Sequence, residues 1–140
     1  MTDSKYIKYK DVIAEAAAAK AAAYAPYSGF KVGAALVTKS GKIFRGCNVE
    51  NISLGLTICA ERAAVAAAIS SGERDFEMIV VVTDSENPTL PCGACRQVLT
   101  EFAPAMRIVA ATPSGKVDEL ELAALLPKPN QGILETEPRV

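Results

Sequence analysis

Met78-Ile79-Val80-Val81-Val82 is an unbroken apolar run, and four of its five residues are β-branched. Such a run reads as a strand buried on both faces. Working outward, an alanine-rich segment from Ile58 or Cys59 to Ser71 precedes it and is stopped by Gly72. A second helix is expected from Gly93 to Phe102, ended by Pro104, and then a strand from Arg107 to Thr112. Strands joined through a helix are expected to run parallel. Further out, Tyr6 to Tyr24 reads as a helix whose larger apolar residues are Ile7, Val12 and Ile13, and Ala25-Pro26-Tyr27-Ser28-Gly29 ends it. Phe30, Val32, Ala34 and Leu36 alternate as in a strand, Ser40-Gly41 turns the chain, and Lys42 to Cys47 returns as a hairpin partner. Asn48 to Thr57 reads as irregular. Pro113-Ser114-Gly115 is a turn before a short strand from Lys116 to Leu120 and a short helix from Glu121 to Leu126. The pattern predicts an α/β domain, a mixed sheet layered between helices. No internal repeat and no domain-dividing linker stands out, so residues 1–140 read as one domain, with about 128–140 as a C-terminal tail.

Half the chain is hydrophobic, enough for a core of modest size. The formal net charge of −1 disfavours a nucleic acid as main partner and suits a small neutral ligand. No apolar run is long enough to span a membrane, and Met1-Thr2-Asp3-Ser4-Lys5 leads into no signal-peptide core. A cytoplasmic location is expected, where thiols stay reduced. The chain has no His at all, which removes Ser-His-Asp and Cys-His chemistry. A zinc site here must be built from Cys, Asp and Glu.

Pro91-Cys92-Gly93-Ala94-Cys95 puts two cysteines at chelating spacing where a helix begins. The first turn of a helix has unpaired N–H groups and partial positive charge, which favour thiolates, the ligand form. Cys59 stands at the start of the other helix. If the two starts converge, three thiolates can hold one zinc and leave its fourth position open for water, the arrangement of a catalytic rather than a structural site. Glu61, two residues beyond Cys59, does not share its helix face. It is placed to move protons at that water instead of ligating. The competing readings are a redox Cys-x-x-Cys pair, a closed structural site with Cys47 as fourth ligand, and Glu61 as a solvated helix charge.

Cys59-Ala60-Glu61 followed by Pro91-Cys92-Gly93-Ala94-Cys95 resembles the zinc deaminase signature in an all-cysteine form. With Ala25-Pro26-Tyr27-Ser28, Phe30 to Leu36, Gly46-Cys47-Asn48-Val49-Glu50-Asn51, Arg62 and Arg96-Gln97-Val98, residues 10–127 resemble the short-chain cytidine deaminases. The resemblance implies a three-layer α/β/α fold with a mixed central sheet of about five strands, one Zn2+ per chain on Cys59, Cys92 and Cys95, and a homotetramer with active sites shared between subunits. It implies hydrolytic deamination of cytidine or 2′-deoxycytidine in pyrimidine salvage, with Glu61 as the catalytic proton carrier. It also implies that Asn48 and Glu50 bind the ribose, that Phe30 packs near sugar and base, that the Ala60 N–H holds the pyrimidine O2, and that Arg62 hydrogen-bonds the thiolates. For Phe30 a core strand position is the alternative, for Asn48 and Glu50 a capped turn, and for Arg62 a surface charge.

Two departures from the family bear on the substrate. Leu54 stands where Tyr is usual, and Lys128-Pro129-Asn130 follows Leu125-Leu126-Pro127 where the family places a Phe that stacks on a neighbour's pyrimidine. The alternatives are therefore a deaminase of N4-substituted or otherwise modified cytidines with a widened base pocket, or Ile133 or Leu134 of a neighbouring tail filling the gap; a separate alternative, which would need a fourth protein ligand and no use for Glu61, is a non-catalytic zinc-stabilised interaction domain. Glu50 argues against the blasticidin-deaminating relatives, which lack a glutamate there.

Overall fold

The computed structural model describes residues 4–129. Its elements in chain order are α1 (Ser4–Lys8), α2 (Lys10–Ala21), β1 (Val32–Thr38), β2 (Ile43–Cys47), α3 (Ala60–Ser70), β3 (Phe76–Thr83), α4 (Gly93–Phe102), β4 (Arg107–Ala111), β5 (Val117–Glu121) and α5 (Leu122–Leu125), with a 3-10 turn at Leu54–Leu56. The five strands form one sheet in the order β2-β1-β3-β4-β5. Only β3 and β4, joined by α4, pair in parallel. β2 and β3 are also joined by a helix and run in the same direction, yet they do not pair, because β1 lies antiparallel between them.

The two faces of the sheet carry separate cores. Ala34, Leu36, Ile79, Leu99, Met106 and Ile108 pack with Ala60, Ala64 and Ala68 of α3. Ala35, Val80, Val82, Val109 and Ala111 pack with Tyr9, Ile13 and Ala16 on the other side. This is the expected three-layer α/β/α arrangement with a mixed five-stranded sheet. The expected β3 run is buried at every position from Met78 to Thr83.

Several expectations are corrected. The first helix breaks at Tyr9, whose ring is buried and whose hydroxyl donates to Glu119 Oε1 at 2.7 Å. Ile7, expected on the apolar face, is 62% exposed. The helix ends at Ala21 and does not reach Tyr24, which pairs with the 48–50 segment (Tyr24 N–H to Asn48 O, 3.0 Å). The 48–50 segment takes both Tyr24 backbone groups, the second by a bond from Glu50 N–H to Tyr24 O at 2.9 Å, so they are not free to extend the helix. β1 is buried on both sides because its alternate positions are small: Gly33 and Ala35 lie under α2 while Ala34 and Leu36 face α3. The two antiparallel hairpins share a turn the sequence reading did not connect, Thr38-Lys39-Ser40-Gly41-Lys42 and Thr112-Pro113-Ser114-Gly115-Lys116. In each, the Thr Oγ1 pairs with the Ser Oγ (2.8 and 2.9 Å) and accepts the Lys N–H, and the glycine has positive φ.

Gly46 sets how closely α3, and so the start of the motif helix, can lie on the sheet. A Cβ there would sit 2.3 Å from Ala60 O and 2.4 Å from Ala64 N, both backbone atoms that cannot rotate away. Gly46→Ala is therefore expected to cost about 1–3 kcal/mol of stability by forcing α3 off the sheet, measured as a lower denaturant midpoint. An unchanged midpoint would show that α3 has room to move.

Candidate active site

β2 and β3 point the same way, so the helices that follow them, α3 and α4, both begin at one edge of the sheet. Cys59 is the N-cap residue of α3 and Cys92 that of α4, both with extended backbone. Cys95 lies in the first turn of α4 and is fully buried. The three sulfurs all lie within 4.8 Å of one another, so they can coordinate a metal ion. Arg62 Nη2 donates to Cys59 Sγ at 3.2 Å and to Thr57 O at 3.5 Å. A hydrogen bond from the Cys95 thiol, with help from Arg62, holds the Cys59 thiol down to about 5. Cys95 is pushed up by that same hydrogen bond, then by burial and the charge of Glu61. A cation among the sulfurs would release the shared proton, because the thiolate is the form that binds.

Glu61 is 5% exposed, and burial raises its carboxyl above the ordinary range. Its own backbone N–H opposes that, and the negative charge at Cys59 adds to it. A carboxyl so placed can hold a proton nearer neutral pH than a surface glutamate, which suits a group that both takes and gives one.

A cavity of about 290 Å3, at the small end for a ligand site, opens beside these groups. It is lined by Phe30, Asn48, Glu50, Cys59, Ala60, Glu61 and Cys92, with Val32 of β1, Val81 of β3 and Ser28, Thr57, Thr89 and Leu90 completing the wall. Asn48 accepts the Val32 N–H (2.8 Å) and donates to Phe30 O (2.8 Å), which leaves each end of its carboxamide capacity for one more bond. Glu50 Oε1 accepts the N–H groups of Tyr27 (2.9 Å) and Ser28 (3.1 Å), and Oε2 accepts the Ser28 hydroxyl. These bonds hold the Glu50 carboxyl below its usual range, the Ser28 hydroxyl foremost. Asn48 and Glu50 thus do cap the 27–32 turn, and they also face the cavity. The Ala60 N–H, at the first position of α3, belongs to the set that has no partner within the helix. A second recess, of about 340 Å3, lies between Lys39, Asp75, Phe102 and Arg107 and contains no cysteine.

Residues 7–112 match the family model of the cytidine and deoxycytidylate deaminase zinc-binding region. The chain is 49% identical over 117 residues to the cytidine deaminase of Halalkalibacterium halodurans, covering 83% of this chain and 89% of the relative. The crystal structure of cytidine deaminase from Burkholderia pseudomallei superposes with a TM-score of 0.83 at 49% identity, over 86% of this chain and 97% of that one. That from Mycobacterium tuberculosis gives 0.77 at 39% identity, over 89% and 98%. The chain belongs to the cytidine deaminase family.

Within this cytidine deaminase fold, every site residue read from the sequence comes to one edge of the sheet. Cys47 stands outside the sulfur cluster, which leaves the closed four-cysteine reading without its fourth ligand among the described residues. Phe30 is 42% exposed and precedes β1, so it is a wall residue and not a core strand residue. Arg62 is half-buried against Cys59, not a free surface charge. The sequence reading missed Thr57, whose carbonyl receives Arg62, and Leu90 and Thr89, which reach the wall from the loop before α4. It noted Arg96 only as part of a motif. Asn130, Ile133 and Leu134 lie outside the described residues.

Proposed function

We propose that the protein is a zinc-dependent cytidine deaminase that converts cytidine and 2′-deoxycytidine to the uridines in pyrimidine salvage. The observation that carries this reading is the trio of cysteine sulfurs at two helix starts, with the buried Glu61 beside it and a cavity in front. The donor set fits one Zn2+ held by Cys59, Cys92 and Cys95, since three thiolates leave a tetrahedral position free. Zinc, when bound, supplies Lewis acidity that activates water near neutral pH. Glu61 takes one proton from the attacking water and delivers it to N3, then takes the second from the new C4 hydroxyl and delivers it to the leaving amine. The C4–O bond forms, the C4–N bond breaks, and ammonia departs. The Ala60 N–H holds the base O2, Asn48 and Glu50 bind the ribose hydroxyls with their spare capacity, and Phe30 walls the sugar and base. Arg62 offsets the negative charge of the thiolates, which would otherwise weaken the metal as a Lewis acid. The purified protein is expected to contain one zinc per chain and to release ammonia from cytidine. Full zinc without ammonia would instead support a zinc-stabilised interaction domain.

The assembly is a homotetramer with active sites completed by neighbouring subunits. Support comes from Val49, Ile52, Leu54, Leu56 and Ile58, all between 42% and 80% exposed on the segment beside the cavity, an apolar surface of the kind that a partner covers. No helix among the described residues is long and apolar enough to cross a membrane. Sedimentation equilibrium should return four times the 14.7 kDa chain mass. A monomer mass would leave that apolar surface without its partner and overturn the shared-site assignment.

A further inference from the structure

Of the three metal-site cysteines, Cys92 is the exposed one, while Cys59 is half-buried and Cys95 is buried. Packing therefore does least to hold Cys92, and its position has to come from its backbone. Arg96 reaches that backbone twice. Its N–H donates to Cys92 O at 2.9 Å, the first helical bond of α4, which any residue there would make, and its side-chain Nε, which is particular to arginine, donates to Pro91 O at 2.8 Å. The two carbonyls that flank the Cys92 Cα are thus held by one residue. The same guanidinium extends Nη1 to Leu125 O, at 3.3 Å, the last residue of α5. An arginine fork can hold two carbonyls in fixed relative positions, which a lysine ammonium on a flexible stem does less well.

We infer that Arg96 is a positioning residue for the metal ligand Cys92: it locks the Pro91–Cys92 peptides and ties them to the end of α5, so that the thiolate is aimed before the metal arrives. The inference rests on Cys92 being a zinc ligand, as proposed above. Arg96 does not touch the sulfurs and acts only through the backbone it holds. Partners of metal ligands at one remove set affinity by about 10–100-fold when lost.

The test uses the full-length, zinc-loaded protein with a chromogenic chelator in excess, and the cobalt-substituted protein for its thiolate-to-metal absorption. Arg96→Met is expected to release zinc at least about tenfold faster than wild type and to shift the cobalt spectrum. Arg96→Lys should fall between the two. Arg107→Met, at the far edge of the sheet, should behave as wild type. Wild-type release rates in Arg96→Met, an unchanged cobalt spectrum, or equal acceleration by Arg107→Met would each overturn the inference, whatever the effect on melting temperature. If Arg96→Met does not fold, Arg96→Lys decides by the same two readouts. A wild-type protein that holds neither zinc nor cobalt overturns the functional reading, and this inference with it. A wild-type protein that holds zinc while the Arg96 variants match it overturns this inference alone.

Discussion

Glu61→Gln is expected to lower turnover of cytidine by about 10²–10⁴-fold, the usual worth of a positioned acid–base group, while zinc content and unfolding temperature stay near wild type. Glutamine preserves the size and most of the hydrogen bonding of the side chain, so the change isolates proton transfer. The position is 5% exposed and its carboxyl is raised by burial, so the substitution also removes the cost of burying a charge. The variant should therefore be no less stable than the parent. Activity within a few-fold of wild type would remove Glu61 from the mechanism. A loss of zinc together with activity would make it a ligand instead.

The second large effect concerns the metal. Cys92→Ala is expected to abolish activity and to leave the chain without stoichiometric zinc. Because Cys92 is exposed, truncating it opens no core cavity, and lost stability in this variant reports lost metal and not lost packing. The corresponding change at the buried Cys95 would mix the two effects. Acidification should act in the same direction. Each ligand must lose its proton to bind, so affinity falls as pH falls. Cys59, held down by the bond from Cys95 and by Arg62, resists that protonation more than an ordinary thiol, while Cys95 is pushed up and resists it less. Metal analysis after gel filtration at neutral and at acid pH checks both statements. Retained zinc in Cys92→Ala at neutral pH would place the metal elsewhere.

Much of this arrangement is legible along the chain because its determinants are local. Helix starts, glycine stops and the β-branched run at 78–82 each depend on a few neighbouring residues, and the structure places them within a residue or two of expectation. The chemistry of the motif is local as well: a cysteine at an N-cap has its electrostatic advantage wherever the helix lies. The errors fall where a distant residue intervenes. Tyr9, where the first helix is interrupted, is buried and bonded through its hydroxyl to Glu119, 110 positions away. Gly33 and Ala35 fall between the alternating residues that mark the strand, yet their small size is what lets α2 lie close to β1.

Residue types and their spacing were enough to single out the three cysteines whose sulfurs converge, the glutamate beside them and the layered α/β class, because a chain without histidine leaves few metal donors to choose among. The convergence of Cys59 with Cys92 and Cys95 follows from something no spacing encodes: β1 inserts between β2 and β3, so two strands point the same way and their helices begin at one edge. Long-range pairing also gives Asn48 and Glu50 their double duty, capping the 27–32 turn while facing the cavity. It brings Leu125 within reach of Arg96 as well. A hydrogen bond across 29 residues depends on the path of the whole chain, and that path is set by burying two apolar faces of one sheet at once.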